Sequence, residues 1–212
     1  MTTNFNPSNH ETSWQQRLTR FFLWVSVIAW GVLLGAKLFD LRVLVGAWSA
    51  SPPQSLGLLP YGPQYPVDTG EFFIPSSAAL LVAAFGSLIS GWQTPWKYRV
   101  WLMLSAAMIL VTLIFTVSAF WPRNAALWQV AKDSLTAMKD QEAIILMVRE
   151  WVMYDWVRVA MATIGFVASI RAISIPFPTL LAASPTSLIV KLMYVVGIGA
   201  VVLFIVYFLS NL

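Results

Sequence analysis

The sequence predicts an all-α polytopic membrane protein: a four-helix transmembrane core bundle with a fifth transmembrane helix towards the C-terminus. Three observations predict it. Only 10% of the 212 residues are charged and 58% are hydrophobic, whereas a soluble domain carries about 25% charged residues. Too few ionic side chains remain to clothe a surface that faces water. Apolar runs near the length needed to cross a bilayer recur along the chain, separated by proline- and charge-bearing segments. The 11 tryptophans suit a chain with two membrane–water interfaces, where indoles settle.

Residues 1–17 are polar and lack periodicity, and are expected to form a disordered tail. The four-helix core is expected over residues 18–173. Its first helix is placed at about 18–41. Arg17 and Arg20 precede its apolar run, but Lys37, Asp40 and Arg42 follow in place of a small-residue cleavage site, so the run reads as a retained span and not a secretory signal. Gly31 and Gly35 give it a GxxxG spacing that admits a close helix neighbour. Residues 46–75 hold Pro52, Pro53, Pro60, Pro63, Pro66 and Pro75, and are read as a long loop packing over the helix ends. The second helix, about 76–92, is rich in small residues (Ala83, Ala84, Gly86, Ser87, Gly91), which suits tight packing. A short turn with Pro95 leads to the third helix, about 97–121, making the two antiparallel neighbours. Pro122 is expected to end the third helix. Residues 124–149 carry six charges and apolar residues near helical spacing, and are read as an amphipathic surface helix. The fourth helix is placed at about 150–173. Residues 174–212 are read as a proline-broken connector and the fifth helix.

Several functions are excluded or disfavoured. The net charge of +4 is spread along the chain with no basic cluster, so no nucleic-acid partner is expected. There are no cysteines and one histidine, His10, which removes thiolate chemistry, bis-His haem and His-rich metal sites. No dinucleotide, P-loop or nucleophile-elbow pattern occurs. No cofactor and no metal are expected. Asp40, Glu71 and Asp155 offer a carboxylate set for a cation, but without a ligand-type spacing.

Antiparallel topology gathers polar residues at one end. The end of helix one, the start of helix two, the end of helix three and the start of helix four share a membrane side, bringing together Lys37, Asp40, Glu71, Asn124, Asp155 and Arg158. These are the candidate ligand-binding residues. Asp155 and Arg158 sit three apart, share a helix face and can pair. Ionisable groups inside a span are costly and face the bundle interior by default. Three readings stand: an ion pair that fixes helix register, a ligand site, or a solvated pair at the interface. Asn124 suits a helix N-cap as well as a site. Thr112 and Thr116 are expected to bond their own backbone.

The segment Pro122-Arg123-Asn124-Ala125-Ala126-Leu127, followed by Trp151, Asp155 and Arg158, resembles the anthrone oxygenase-like family of small membrane proteins. That family shows Pro-x-Asn after its third span and Trp-x3-His-x2-Arg leading into its fourth. The resemblance covers about residues 20–173 and leaves the fifth helix outside. It implies a helical membrane bundle, and for some members a cofactor-free oxygenation of anthrones in which the His acts as base. Asp155 stands in place of that His. A carboxylate is a weaker base than an imidazole, so the resemblance supports the fold more than the reaction.

The expected partner is the lipid bilayer, with a hydrophobic small molecule or a membrane protein at the polar end. The alternative is a membrane oxygenase or oxidoreductase acting on an aromatic or quinone-like substrate. A transporter ranks last, since no inverted repeat is seen. Lys and Arg at the span ends count equally on the two sides, and the short, almost purely basic segments on the N-terminal side favour a cytoplasmic N-terminus and an outer C-terminus, in a bacterial inner or plasma membrane.

Overall fold

The computed structural model describes residues 14–60, 69–132 and 141–180. Its elements are helical: α1 (Trp14–Phe39), a π-helical turn (Asp40–Leu44), α2 (Val45–Trp48), a 3-10 turn (Gln54–Leu58), α3 (Gly70–Ser90), α4 (Trp96–Phe115), a second π-helical turn (Thr116–Phe120), α5 (Trp121–Lys132) and α6 (Gln141–Ser174). Four helical stretches are long and apolar enough to cross a membrane: Trp14–Trp48, Gly70–Ser90, Trp96–Lys132 and Gln141–Ser174. The fifth span lies outside the described residues, as do most of the tail and residues 61–68 and 133–140.

The spans are unequal, and the inequality shapes the molecule. At about 1.5 Å per residue, the 21 residues of α3 reach about 30 Å, one hydrocarbon thickness. The other three spans hold 35, 37 and 34 residues and overshoot at the end away from the short α3–α4 turn. Their overshoots pack into a helical head. Its core contains Leu41, Val45, Trp48, Leu56, Leu59, Phe120, Leu127, Ile144, Val148 and Trp151. Below it lies the mid-bundle core of Trp30, Leu33, Leu80, Leu81, Ala84, Ala106, Ile109 and Ala162. At the far end Leu23, Tyr98, Leu102 and Ala172 close the bundle.

The head corrects several expectations. The first helix starts at Trp14, inside the segment read as tail, and runs past position 41 to Trp48. Pro75 does not precede the second helix but sits inside α3, in its second turn, where it has no N–H to donate to the carbonyl four residues back. Pro122 does not end the third helix. The π turn Thr116–Phe120 comes directly before it and shifts the hydrogen-bond register by one residue, which accommodates a nitrogen without a hydrogen. The Arg123 guanidinium then donates to the Ala119 carbonyl at 2.9 Å. The segment 124–149 is accordingly not a separate surface helix in its described parts. It is the end of α5 and the start of α6, and Leu127, Ile144 and Val148 bury in the head. Of the loop 46–75, Leu56 and Leu59 do pack over the helix ends, fully buried in the head core.

Close approaches occur where small residues lie, though not at the predicted pair. A Cβ added to Gly31 would sit in ordinary contact with the Phe166 ring, at 3.5 Å, and one added to Gly35 would face open space. The tight contacts are Gly86 under the Phe22 ring, Gly91 against Leu102 and Gly165 under the Trp30 indole, none with room for a Cβ.

Candidate functional site

Two polar clusters lie inside this apolar frame. The first sits where the bundle meets the head. Asp155 of α6 is fully buried. Its Oδ1 accepts from Arg158 Nε at 2.8 Å and from Arg158 Nη2, and it pairs with Lys37 Nζ of α1 at 3.0 Å. Lys37 also donates to Asp40 Oδ2 at 2.5 Å. Two cations and two carboxylates thus form a neutral chain, Asp40–Lys37–Asp155–Arg158, that ties the first span to the last described one.

Aromatic rings enclose the chain. The Arg158 guanidinium lies 3.4 Å from the Phe120 ring centroid and 5.6 Å from Trp151. Lys37 Nζ lies 5.2 Å from Phe73 and 5.8 Å from Trp151. Trp151 also meets Trp48 and Phe120 edge-to-face at 4.9 and 5.0 Å. Such rings attract cations through their negative faces and keep water out. Both π turns border the cluster: Asp40 opens one and Phe120 closes the other. Such register shifts are frequent at functional sites.

One atom in the cluster is unsatisfied. Asp155 Oδ2 is buried and has no hydrogen-bond partner, and the Trp48 indole nitrogen nearby has none either. A buried carboxylate oxygen without a donor is costly, so a donor placed beside it would lower the energy of the cluster.

Of the candidate residues, the structure brings Lys37, Asp40, Asp155 and Arg158 into direct contact. Asn124 is joined to them indirectly. It is not an N-cap, because α5 begins at Trp121; its Oδ1 accepts from Trp151 Nε1 at 2.7 Å and so fixes one wall of the aromatic enclosure. Glu71 is exposed in the first turn of α3 and makes no ion pair with the cluster among the described residues. The Asp40–Glu71–Asp155 set is therefore not assembled, and a lysine ammonium lies between the two carboxylates that do approach. Thr112 and Thr116 bond the Met108 and Thr112 carbonyls, as expected.

The second cluster went unseen in the sequence. In mid-bundle, Trp30 Nε1 donates to Ser105 Oγ at 3.0 Å, Ser105 Oγ lies 2.8 Å from Ser169 Oγ, and Ser169 Oγ lies 3.2 Å from Ser26 Oγ. All four residues are buried. The only signal was serine within apolar runs, which has no distinguishing spacing.

Fold and site together define a multi-pass helical membrane protein with a buried ionic cluster between bundle and head. Residues 65–168 match the model of the anthrone oxygenase family, the family that the Pro122–Arg158 pattern resembles. The match is shorter than the 20–173 expected. It includes Phe73, Phe120, Asn124, Trp151, Asp155 and Arg158 but stops short of Lys37 and Asp40. No curated protein and no solved structure matches the chain.

Proposed function

We propose that this protein binds a hydrophobic small molecule at the joint between bundle and head, with the ligand's polar group donating to Asp155. The observation that carries this reading is the buried, unpartnered Oδ2 of Asp155. The four charges of the chain sum to zero, which favours a neutral ligand over an ion. Phe73, Phe120 and Trp151 surround the charges with apolar surface, which suits an apolar ligand body. The joint also lies about one hydrocarbon thickness from the α3–α4 turn, where a molecule dissolved in lipid can reach it. Solvent extraction of the purified protein followed by mass spectrometry tests the reading. The wild type should release a hydrophobic, hydroxyl-bearing compound in near-stoichiometric amount, and Asp155→Asn should release far less. Equal recovery from both, or a folded protein carrying only a protein partner, would sink it.

A second reading is favoured by the family match: oxygenation of an anthrone-like ring system. A base removes a proton from the ring methylene, and the delocalised enolate reacts with O2. The hydroperoxide then loses water to leave a quinone carbonyl. One oxygen atom enters the product, the other leaves as water, and both hydrogens come from the substrate carbon. In this chain Asp155 would be the base, and Lys37 and Arg158 would stabilise the enolate oxygen. Oxygen uptake with an anthrone should fall at least tenfold in Asp155→Ala and Arg158→Ala, and Asp155→His should retain or raise turnover. Unchanged uptake in both alanine variants would remove the enzyme reading and leave the binding one standing.

A further inference from the structure

The end of the bundle opposite the ionic joint carries charge of one sign. Arg17 and Arg20 of α1, Lys97 and Arg99 of α4, and Arg171 of α6 lie there. Every described Asp and Glu lies at or towards the other end. Arg20, Lys97 and Arg171 are exposed. Arg20 lies within electrostatic reach of the Tyr98 hydroxyl, and Tyr98 packs with Leu23 and Ala172, so three helix ends present their cations together.

Arg99 is the most enclosed of these cations. Its guanidinium lies 4.9 Å from the Trp92 ring and 5.7 Å from the Trp96 ring. It donates one hydrogen bond, from Nη1 to the Trp92 carbonyl at 2.8 Å, and its Nε is buried without a partner. Two indoles thus hold a partly satisfied guanidinium at a membrane–water boundary, beside exposed cations and no described carboxylate.

We infer that this end is a binding face for the phosphate headgroups of acidic phospholipids, with Arg99 as its anchor and Arg20, Lys97 and Arg171 as its exposed rim. Guanidinium groups pair with phosphate oxygens through directed N–H donors. The exposed Trp96 and Trp14 sit at the same end, at the headgroup level where indoles settle. The face also fixes orientation: the α3–α4 turn lies against the anionic leaflet, and the ionic joint opens towards the opposite one.

The test uses the full chain purified in a neutral detergent. Thermal stability is followed as phosphatidylglycerol, phosphatidylcholine or inorganic phosphate is added. Phosphatidylglycerol should raise the melting temperature saturably and lose effect with salt, while phosphatidylcholine and phosphate should not. Each cation removed should weaken apparent affinity about fivefold, taking about 1 kcal/mol per basic residue near a charged surface. Arg99→Gln tests the anchor. The rim triple Arg20→Gln/Lys97→Gln/Arg171→Gln, at exposed positions, should lose about a hundredfold and remains informative if the anchor variant does not fold. Arg42→Gln, at the other end, should bind like the wild type. Equal stabilisation by phosphatidylcholine, or an undiminished response in the triple variant, overturns the inference. A response to phosphate matching that to phosphatidylglycerol would make it a soluble-anion site and overturn the lipid assignment.

Discussion

The two buried polar clusters solve the same problem in opposite ways. Both tie α1 to α6 through side chains inside an apolar bundle. The mid-bundle cluster uses neutral groups: Trp30 donates, the three serines relay, and each member has a partner. The joint uses four full charges and leaves Asp155 Oδ2 without a donor. Neutral networks of this kind are modest in energy but complete. Charged ones are costly to bury, and removing one member leaves its partners stranded. The serine network is a complete fastening, whereas the joint leaves one acceptor open, and that open acceptor is what the proposed binding would use.

The comparison can be broken most directly at the joint. Asp155→Ala strands the Lys37 and Arg158 charges beside Asp40 alone. It should destabilise by about 3–5 kcal/mol, read as a large fall in melting temperature in detergent. A fall of less than about 1 kcal/mol would show that water already reaches the cluster. In mid-bundle, Gly165→Ala presses a methyl group into the Trp30 indole and should cost about 1–3 kcal/mol, with the Trp30 fluorescence shifting as the ring is displaced. Ser105→Ala removes the acceptor of Trp30 Nε1 and should cost about 1–2 kcal/mol. Ser26→Ala removes only the last link and should cost about 0.6 kcal/mol, typical of a hydrogen bond between membrane helices. The paired change Lys37→Met with Asp40→Leu sharpens the contrast. It removes one cation and one anion together and leaves the Asp155–Arg158 pair, so stability should change by less than about 1 kcal/mol. Ligand recovery should nonetheless fall, because the cation beside Asp155 is gone. A normal ligand yield from that variant would confine the site to Asp155 and Arg158.

The legibility of these two regions in the sequence also differs, for a physical reason. Charges inside apolar runs are conspicuous. Lys37 and Asp40, and Asp155 and Arg158, stand out because few residues in this chain are charged and both pairs have helical spacing. Antiparallel topology then placed them at one end. Glu71 was grouped with them by the same logic, but its exposure at the start of α3 keeps it out. Asn124 was readable as a polar residue after Pro122, yet its role depends on the helix continuing through that proline, which a π turn arranges. The serines carry no such mark, because a serine in an apolar run can equally bond its own backbone, as Ser87, Ser90 and Ser174 do.

By itself the sequence determined the helical membrane class, the spans within the described residues, the polar end and the resemblance that the family match bears out. Hydrophobic length, sparse charge and helical spacing are local properties, and they survive any packing arrangement. Only the tertiary structure decided where the spans end, that their overshoots form a head, and that Lys37 reaches Asp155 across more than a hundred residues of chain. Those outcomes depend on which faces meet and on register shifts of a single residue at the two π turns. No local pattern encodes them, because the energy that selects them arises only when the helices are packed together.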